Sequence, residues 1–469
     1  MNNGRLRWPL IGALWLAELT GAFETAMILA ALKALVAEFG DPAMVGWLVT
    51  GYLIVGAAIA AIVGRLGDLY GRRRVLAIVL AIGAAGSAIS ALSGGSYAML
   101  LGGRLLQGVT GAILPLCIGL VRENVPGERA PVTIGLMISG ASLGTAAGLV
   151  IGGLIVDTWS WHGVFAASAG LCTLALAGVL ALVPRSPRAQ GTAGPTDWLS
   201  GLLFAPGVAL ALLYLTLAPH WGWSDPLALV LLTAGVALVA WWWRRSLTSP
   251  APLVSIRAFA DRTVAVCGAV TALVAMSTFQ ITVFFSLLLQ APTWTTAGLG
   301  LSATAAGLAK LPSNITSTFA APLGGWLAGR GGGRIAMVLG GLITTLGWGL
   351  VLFDASSVAV VVAALIVISF GAMMLFAVAP TIIALASPPD RVSEIAGLIT
   401  VIRQLFLGIG AQLVTTLLAL ESVTRGAETY PSPAAYRMTI FAIIAVCLVA
   451  TALCLALPAT RARPADDQP

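Results

Sequence analysis

Long apolar stretches follow one another along the chain, separated by short polar breaks. A helix rises about 1.5 Å per residue, so about 20 apolar residues span the hydrocarbon core of a bilayer. Fourteen stretches meet that length: 9–32, 43–66, 73–93, 97–121, 131–156, 161–184, 199–218, 225–243, 263–291, 302–328, 334–353, 357–386, 393–420 and 435–457. They predict an all-α membrane protein with fourteen spanning helices. The first run follows Arg5 and Arg7, contains Glu18 and Glu24, and lacks a small-residue cleavage site. It therefore reads as a spanning helix and not as a signal peptide.

Composition agrees. The chain is 59% apolar and 9% charged, against roughly 25% charged in soluble proteins. A soluble core of this size could not hide that much apolar surface. The 54 glycines suit close helix approach in a membrane. Five cysteines (Cys117, Cys172, Cys267, Cys447 and Cys454) lie inside apolar runs without metal-ligand spacing. They read as small buried hydrophobes. With only His162 and His220, no histidine-rich metal site is expected.

An even helix count puts both termini on one side, and the bias of basic residues says which. With a cytoplasmic N-terminus, nineteen of the 25 basic residues fall on the cytoplasmic side, including Arg65, Arg72, Arg73, Arg74, Arg188, Arg244, Arg245, Arg461 and Arg463. Only Arg425 and Arg437 fall opposite. One missed helix would destroy this bias. The net charge of +7 is scattered between apolar runs, so it reads as a topology signal and not as a nucleic-acid surface.

Two joints divide the runs. Residues 185–198 are rich in Pro, Gly and polar residues, and 244–262 are basic and contain proline. The expected organisation is a six-helix bundle over 1–184, a linker with two further helices over 185–262, and a second six-helix bundle over 263–469. A repeat supports this 6+2+6 layout. Gly64, Leu66 and Gly71 after the second run match Gly325, Leu327 and Gly332 after the tenth, with Gly329 where the first copy has Asp68. Repeated halves mark many secondary transporters.

Four motifs carry a family resemblance. Residues Gly64 to Arg74 follow G-x-L-x-D-x-x-G-R-R/K, and Arg104-Leu-Leu-Gln107-Gly108 follows R-x-x-Q-G. Gly135, Gly144, Gly148, Gly152 and Gly153 follow G-x8-G-x3-G-P-x2-G-G, with Leu149 in place of the proline. Phe23-Glu24-Thr-Ala-Met resembles L-D-x-T-I, with Glu24 at the acid, and Trp47 and Tyr52 open the second run as W-x4-Y. On these residues the chain resembles the major facilitator superfamily, and its fourteen-helix drug:proton antiporter branch, over nearly its whole length. The resemblance implies a monomer in the inner membrane that exports lipophilic small molecules against protons by alternating access. Its partners would be substrate, protons and membrane lipid, with the proton gradient in place of a cofactor. The resemblance also implies a conformational latch at Gly64, Asp68, Gly71, Arg72 and Arg73, and a close-packing glycine helix at 135–153.

Ionisable residues inside a bilayer are functional candidates, here Glu18, Glu24, Arg104, Lys310 and Arg403. Glu24 lies about 22 Å along its helix from the cytoplasmic face, and Arg104 about 10 Å from the outer one, so in a core about 30 Å thick both sit at one level. A Glu24–Arg104 pair is expected, with Glu18 and Arg403 as a second pair and all four as proton-coupling residues. Burial favours a neutral carboxyl and a nearby guanidinium favours a charged one, a balance that a carrier can exploit. Gln107, Phe279, Gln280, Phe284 and Lys310 are candidates to line a substrate cavity. The chain has no phosphate-binding loop and no catalytic constellation, so it does not read as an enzyme. Two rivals stay open: proton-coupled import of an organic acid recognised by Arg104 or Lys310, and extraction or flipping of lipids.

Overall fold

The computed structural model describes residues 8–40, 42–186, 197–301, 303–425 and 428–458. Arg5, Arg7, Arg188, Arg461 and Arg463, and most of the 185–198 joint, lie outside the described residues. Fourteen long helices occur among those described: α1 Trp8–Phe39, α2 Pro42–Tyr70, α3 Arg72–Ala91, α4 Tyr97–Asn124, α5 Ala130–Thr158, α6 Trp161–Leu182, α7 Trp198–Trp221, α8 Pro226–Thr248, α9 Arg262–Gln290, α10 Ala303–Leu327, α11 Gly333–Phe353, α12 Val358–Ala386, α13 Val392–Ala419 and α14 Pro433–Cys454. Thirteen are long and apolar enough to cross a membrane. The other, α10, carries Lys310, Asn314 and a run of hydroxyl residues.

Two helices outrun their apolar stretches. α1 continues to Phe39 because Lys33 and Glu38 sit exposed on its surface. α2 continues to Tyr70, and the chain turns only at Gly71, whose φ of 99° favours glycine. Asp68 therefore stands on the last turn of α2 and not in a loop. A short antiparallel hairpin, β1 Ser422–Arg425 and β2 Glu428–Pro431, joins α13 to α14 where only a loop is expected.

The chain forms two compact units, one of Met1–Asp261 with Ile383–Val401 and one of Arg262–Ile382 with Ile402–Pro469. In the first unit, α5 lies against α1 along a stripe of glycines one turn apart. A Cβ on Gly144 would collide with the Leu19 carbonyl and stand 2.8 Å from Ala22 Cβ, and one on Gly148 would stand 2.9 Å from the Phe23 carbonyl. Gly140 continues the stripe against Trp15, whereas Gly153 has nothing within 4 Å. Leu149, in place of the family proline, is exposed, and α5 runs unbroken. α7 packs on α8 through Gly207 and Gly235. Arg245 of α8 donates twice to Asp197, at 2.8 and 3.0 Å, clamping the start of α7.

The core of the second unit is aromatic. Phe284 meets Trp348 at 5.2 Å and Tyr436 at 5.5 Å between ring centres, both edge to face, tying α9 to α11 and α14. α9 breaks at Ser277–Gln280, and the Gln280 amide donates to the carbonyls of Ala275 and Leu407, which braces the break against α13. A π turn, Ala328–Gly332, joins α10 to α11. Here Arg330 stacks 4.0 Å over the Trp326 ring, an (i, i+4) contact in the copy of the repeat that lacks an acid.

The glycine stripe yields a differential prediction. Gly144→Val should lower the melting temperature of the detergent-purified protein, with an overpacking cost of about 1–3 kcal/mol, whereas Gly153→Val should leave it unchanged. Equal melting curves for the two variants would contradict this account of the α1–α5 contact.

Candidate functional site

Glu24, midway along α1, is fully buried, and three other helices supply its partners. Ser87 of α3 and Ser168 of α6 each donate to Oε1 at 2.9 Å, and the Cys172 thiol of α6 approaches the same oxygen at 3.3 Å. Thr110 of α4 donates to Oε2 at 2.8 Å. Local sequence explains the position of Thr110. Pro115 has no N–H for the carbonyl four residues earlier, and α4 tightens to 3₁₀ geometry over Gly108–Ala112. Gly83 of α3 keeps the space open, since a Cβ there would stand 2.7 Å from Thr110 Cγ2.

The shell can serve a charged or a neutral carboxyl. Each hydroxyl has one proton and more than one acceptor in reach. Thr110 lies 2.8 Å both from Glu24 Oε2 and from the Gln107 carbonyl. Ser87 lies 2.9 Å both from Glu24 Oε1 and from the Gly83 carbonyl. Around a carboxylate these hydroxyls point inward. Around a protonated carboxyl, Thr110 accepts the acid proton and turns its own to Gln107. Neither state strands a buried donor, which would cost about 1–3 kcal/mol.

Arg104 shares this interior without pairing directly with the carboxylate. It is fully buried. Its Nε donates to the Leu48 carbonyl at 2.9 Å, and Nη1 donates to Gln107 Oε1 at 2.7 Å and to the Glu24 backbone carbonyl at 3.3 Å. Its Cζ lies 4.3 Å over the Tyr52 ring. Nη2 has no hydrogen-bond partner among the described residues. The link to the acid runs through side chains, with Gln107 Nε2 donating to Ser87 Oγ at 2.6 Å and Ser87 donating to Glu24. A guanidinium stays charged in any protein environment, so the state of Glu24 decides whether this network holds a balanced charge.

A second cluster joins the end of α2 to the start of α13, both in the first unit. Asp68 accepts the backbone N–H groups of Ser393 at 3.3 Å and Glu394 at 2.9 Å, capping α13 from another helix. The positive end of the helix dipole favours such a carboxylate. Arg72 pairs with Asp68 at 2.8 Å and donates to the carbonyls of Pro389 and Gly119. Glu394, fully buried, takes Arg65 and Arg391 at 3.5 Å each and the Ser255 N–H at 2.8 Å. Gly64, Gly119 and Gly397 admit this crossing, because a Cβ on any of them would collide with the opposing chain. Arg73 instead ties α3 to α6, donating to the carbonyls of Val179 and Leu180.

The structure distributes the remaining candidates. Gln107 belongs to the Glu24 network. Phe284 has no exposed face, and Gln280 is spent on the α9 break. Packing and hydrogen bonds already engage these three side chains, whereas Phe279 and Lys310 keep an accessible face. Phe279 is half-buried, 5.5 Å from the Phe376 ring over which Arg403 sits at 4.8 Å. Lys310 is half-buried and donates to Ser286 Oγ at 2.7 Å. Glu18 is buried in the first unit, while Arg403 belongs to the second. Sequence reading missed Ser87, Thr110, Ser168, Cys172 and Glu394.

The capping role of Asp68 predicts that Asp68→Asn destabilises the protein by about 3 kcal/mol, because it removes the carboxylate 2.8 Å from the buried Arg72, leaving it only Glu123 at 3.5 Å, and weakens the cap on α13. Thermal melting of the purified protein should show the loss, with the exposed Glu128→Gln as a neutral control. A D68N protein melting with wild type would remove Asp68 from the stability of this crossing.

Comparison with known proteins agrees with this architecture. The family model described as Major Facilitator Superfamily matches residues 14–411. The tetracenomycin C resistance and export protein of Streptomyces glaucescens is 27% identical over 428 residues, covering 90% of this chain and 77% of that protein. The lincomycin resistance protein LmrB of Bacillus subtilis is 30% identical over 344 residues, covering 72% of this chain and 69% of its own length. The crystal structure of the human organic anion transporter MFSD10 shares the fold, with a TM-score of 0.69 at 15% identity over 96% of this chain and 100% of that one. The chain belongs to the Major Facilitator Superfamily and is a multi-pass membrane transporter, not an enzyme.

Proposed function

We propose that this transporter exports lipophilic or amphipathic small molecules in exchange for protons, with Glu24 as the proton carrier. The observation that carries the reading is the Glu24 shell, a fully buried carboxyl whose hydroxyl partners can serve it with or without its proton. Arg104 supplies the coupling. Proton uptake by Glu24 leaves the buried guanidinium uncompensated, and that cost favours a rearrangement of the α1, α3, α4 and α6 contacts. Return of the carboxylate restores the balance. The Asp68–Arg72–Glu394 cluster acts as a latch on one conformation. Glu18 and Arg403 remain proposed as a second coupling pair, and Phe279 and Lys310 as substrate contacts. In this reading the protein is a monomer of 6+2+6 helices in the inner membrane, with both termini cytoplasmic. Export as the direction follows from the names of the relatives, which are resistance and export proteins.

Two observations favour a second reading, uptake of an organic acid with protons. The membrane-embedded charges described in the second unit are Lys310 and Arg403, both cations, and α5 lacks the family proline at Leu149.

Proteoliposomes under an imposed proton gradient test both readings. A panel of lipophilic cations and organic anions should include compounds that move protons through the wild-type protein. Glu24→Gln keeps the size of the side chain and the hydrogen-bond pattern of its neutral form but not its titration, so proton flux should fall to that of protein-free vesicles while the protein stays folded. Substrate and protons moving in opposite directions means exchange, and movement together means uptake. Full coupled flux in E24Q would overturn the assignment of Glu24.

A further inference from the structure

Two grooves on the first unit converge at the start of α3. One, of about 800 Å³, runs between α3 and α6 past Ile78, Leu176 and Leu180. The other, of about 510 Å³, is lined by Leu66, Val75 and Ile82 from α2 and α3. Both include Tyr70, Arg74 and Ile78, so α3 forms a ridge between them. Beyond the shared end their described linings are mostly apolar.

The polar end is cationic. Arg73, Arg74 and Arg185 line the larger groove, and no acidic side chain appears among the described lining residues of either. Arg73 is spent on the end of α6, with its backbone N–H on Ser186 Oγ at 3.2 Å and its side chain on α6 carbonyls. Arg74 and Arg185 are exposed and make no hydrogen bond or ion pair among the described residues. An isolated arginine at a helix end simply reaches for the interface. Here one uncommitted arginine, Arg74, stands where the two grooves meet, and a second, Arg185, lines the larger groove.

We infer that the paired grooves bind one anionic diacyl phospholipid. Its phosphate lies between Arg74 and Arg185, and one acyl chain lies in each groove, astride α3. Charge complementarity selects the headgroup, since a zwitterionic lipid offers no net charge to two guanidiniums. The forked shape of the grooves selects two chains. The bound lipid would bridge α3 and α6 beside Gly71 and Arg72, where the chain leaves the Asp68 cluster. It would thus brace that crossing, whatever the protein carries.

The test uses the full-length protein, stripped of lipid in detergent, with phosphatidylglycerol and phosphatidylcholine added in equal amounts and retained lipid counted by native mass spectrometry. Wild type should retain one phosphatidylglycerol in preference to phosphatidylcholine. Each arginine near a membrane surface contributes roughly fivefold to the binding of an anionic lipid, so Arg74→Gln with Arg185→Gln should lose roughly twenty-fivefold of the preference. Arg244→Gln, away from the grooves, should lose none. Ile78→Trp, which adds bulk on the ridge that both grooves share and keeps the arginines, should also weaken lipid retention. It serves as an independent arm if the double variant fails to fold. Soluble glycerol phosphate should not displace phosphatidylglycerol at equal concentration. No preference in wild type, full preference in the double variant, undiminished retention in I78W, or displacement by glycerol phosphate would each overturn the inference.

Discussion

A carboxyl and a guanidinium share the dry interior of one helix bundle without touching each other. Burying either charge alone would cost several kcal/mol even after the protein relaxes. The first unit meets that cost with polar side chains arranged between them, in the order Arg104, Gln107, Ser87, Glu24. A direct ion pair would fix the carboxyl in its charged state. An indirect link keeps the field of the guanidinium on the acid while leaving its oxygens to hydroxyls, which can reverse their donors at little cost. The site therefore balances its charge without locking it.

The packing around the site follows from that demand. Four helices must approach closely enough for short hydroxyl side chains to reach one carboxyl. Glycines make the approach possible: Gly83 on α3, Gly56 against Gly111 where α2 meets α4, and the stripe that presses α5 onto α1. The tightened turn before Pro115 adds the rotation that aims Thr110 inward. A second set of glycines lets α2 and the start of α13 cross closely, and there the charges are fully engaged in ion pairs and a helix cap. The two clusters differ in a way that matches their proposed roles. One leaves a titratable group in a reversible shell, while the other ties its acids down.

The fourteen apolar runs were legible because bilayer thickness imposes a length that few other constraints imitate. Their ends were less so, since Lys33 and Glu38 look like a boundary yet sit on the exposed face of a continuing helix. Glu24 and Arg104 were legible because charge inside an apolar run is rare and costly. Their hydroxyl partners were not. Ser87 and Thr110 resemble Thr173 or Thr233, which merely satisfy their own helix carbonyls, and sequence spacing carries nothing to separate them. Cys172 reads as a small hydrophobe until its neighbour is known. Glu394 stands at the start of a helix, where an acid is ordinary, and its burial arises from packing against α2, more than three hundred residues away, and against the Ser255 backbone. The aromatic candidates were ambiguous for the opposite reason: a Phe that suits a ligand cavity suits a core equally well, and Phe284 packs in the core while Phe279 keeps an accessible face.

The central claim is that Glu24 gains and loses a proton as the transporter works. Infrared difference spectroscopy of the reconstituted protein tests it directly, by following the carbonyl stretch of a protonated carboxyl as a transported substrate is added. The account predicts a band from a buried neutral carboxyl that substrate diminishes and that Glu24→Gln removes. A band that survives in the variant, or a Glu24 carboxyl whose protonation substrate leaves untouched, would contradict it.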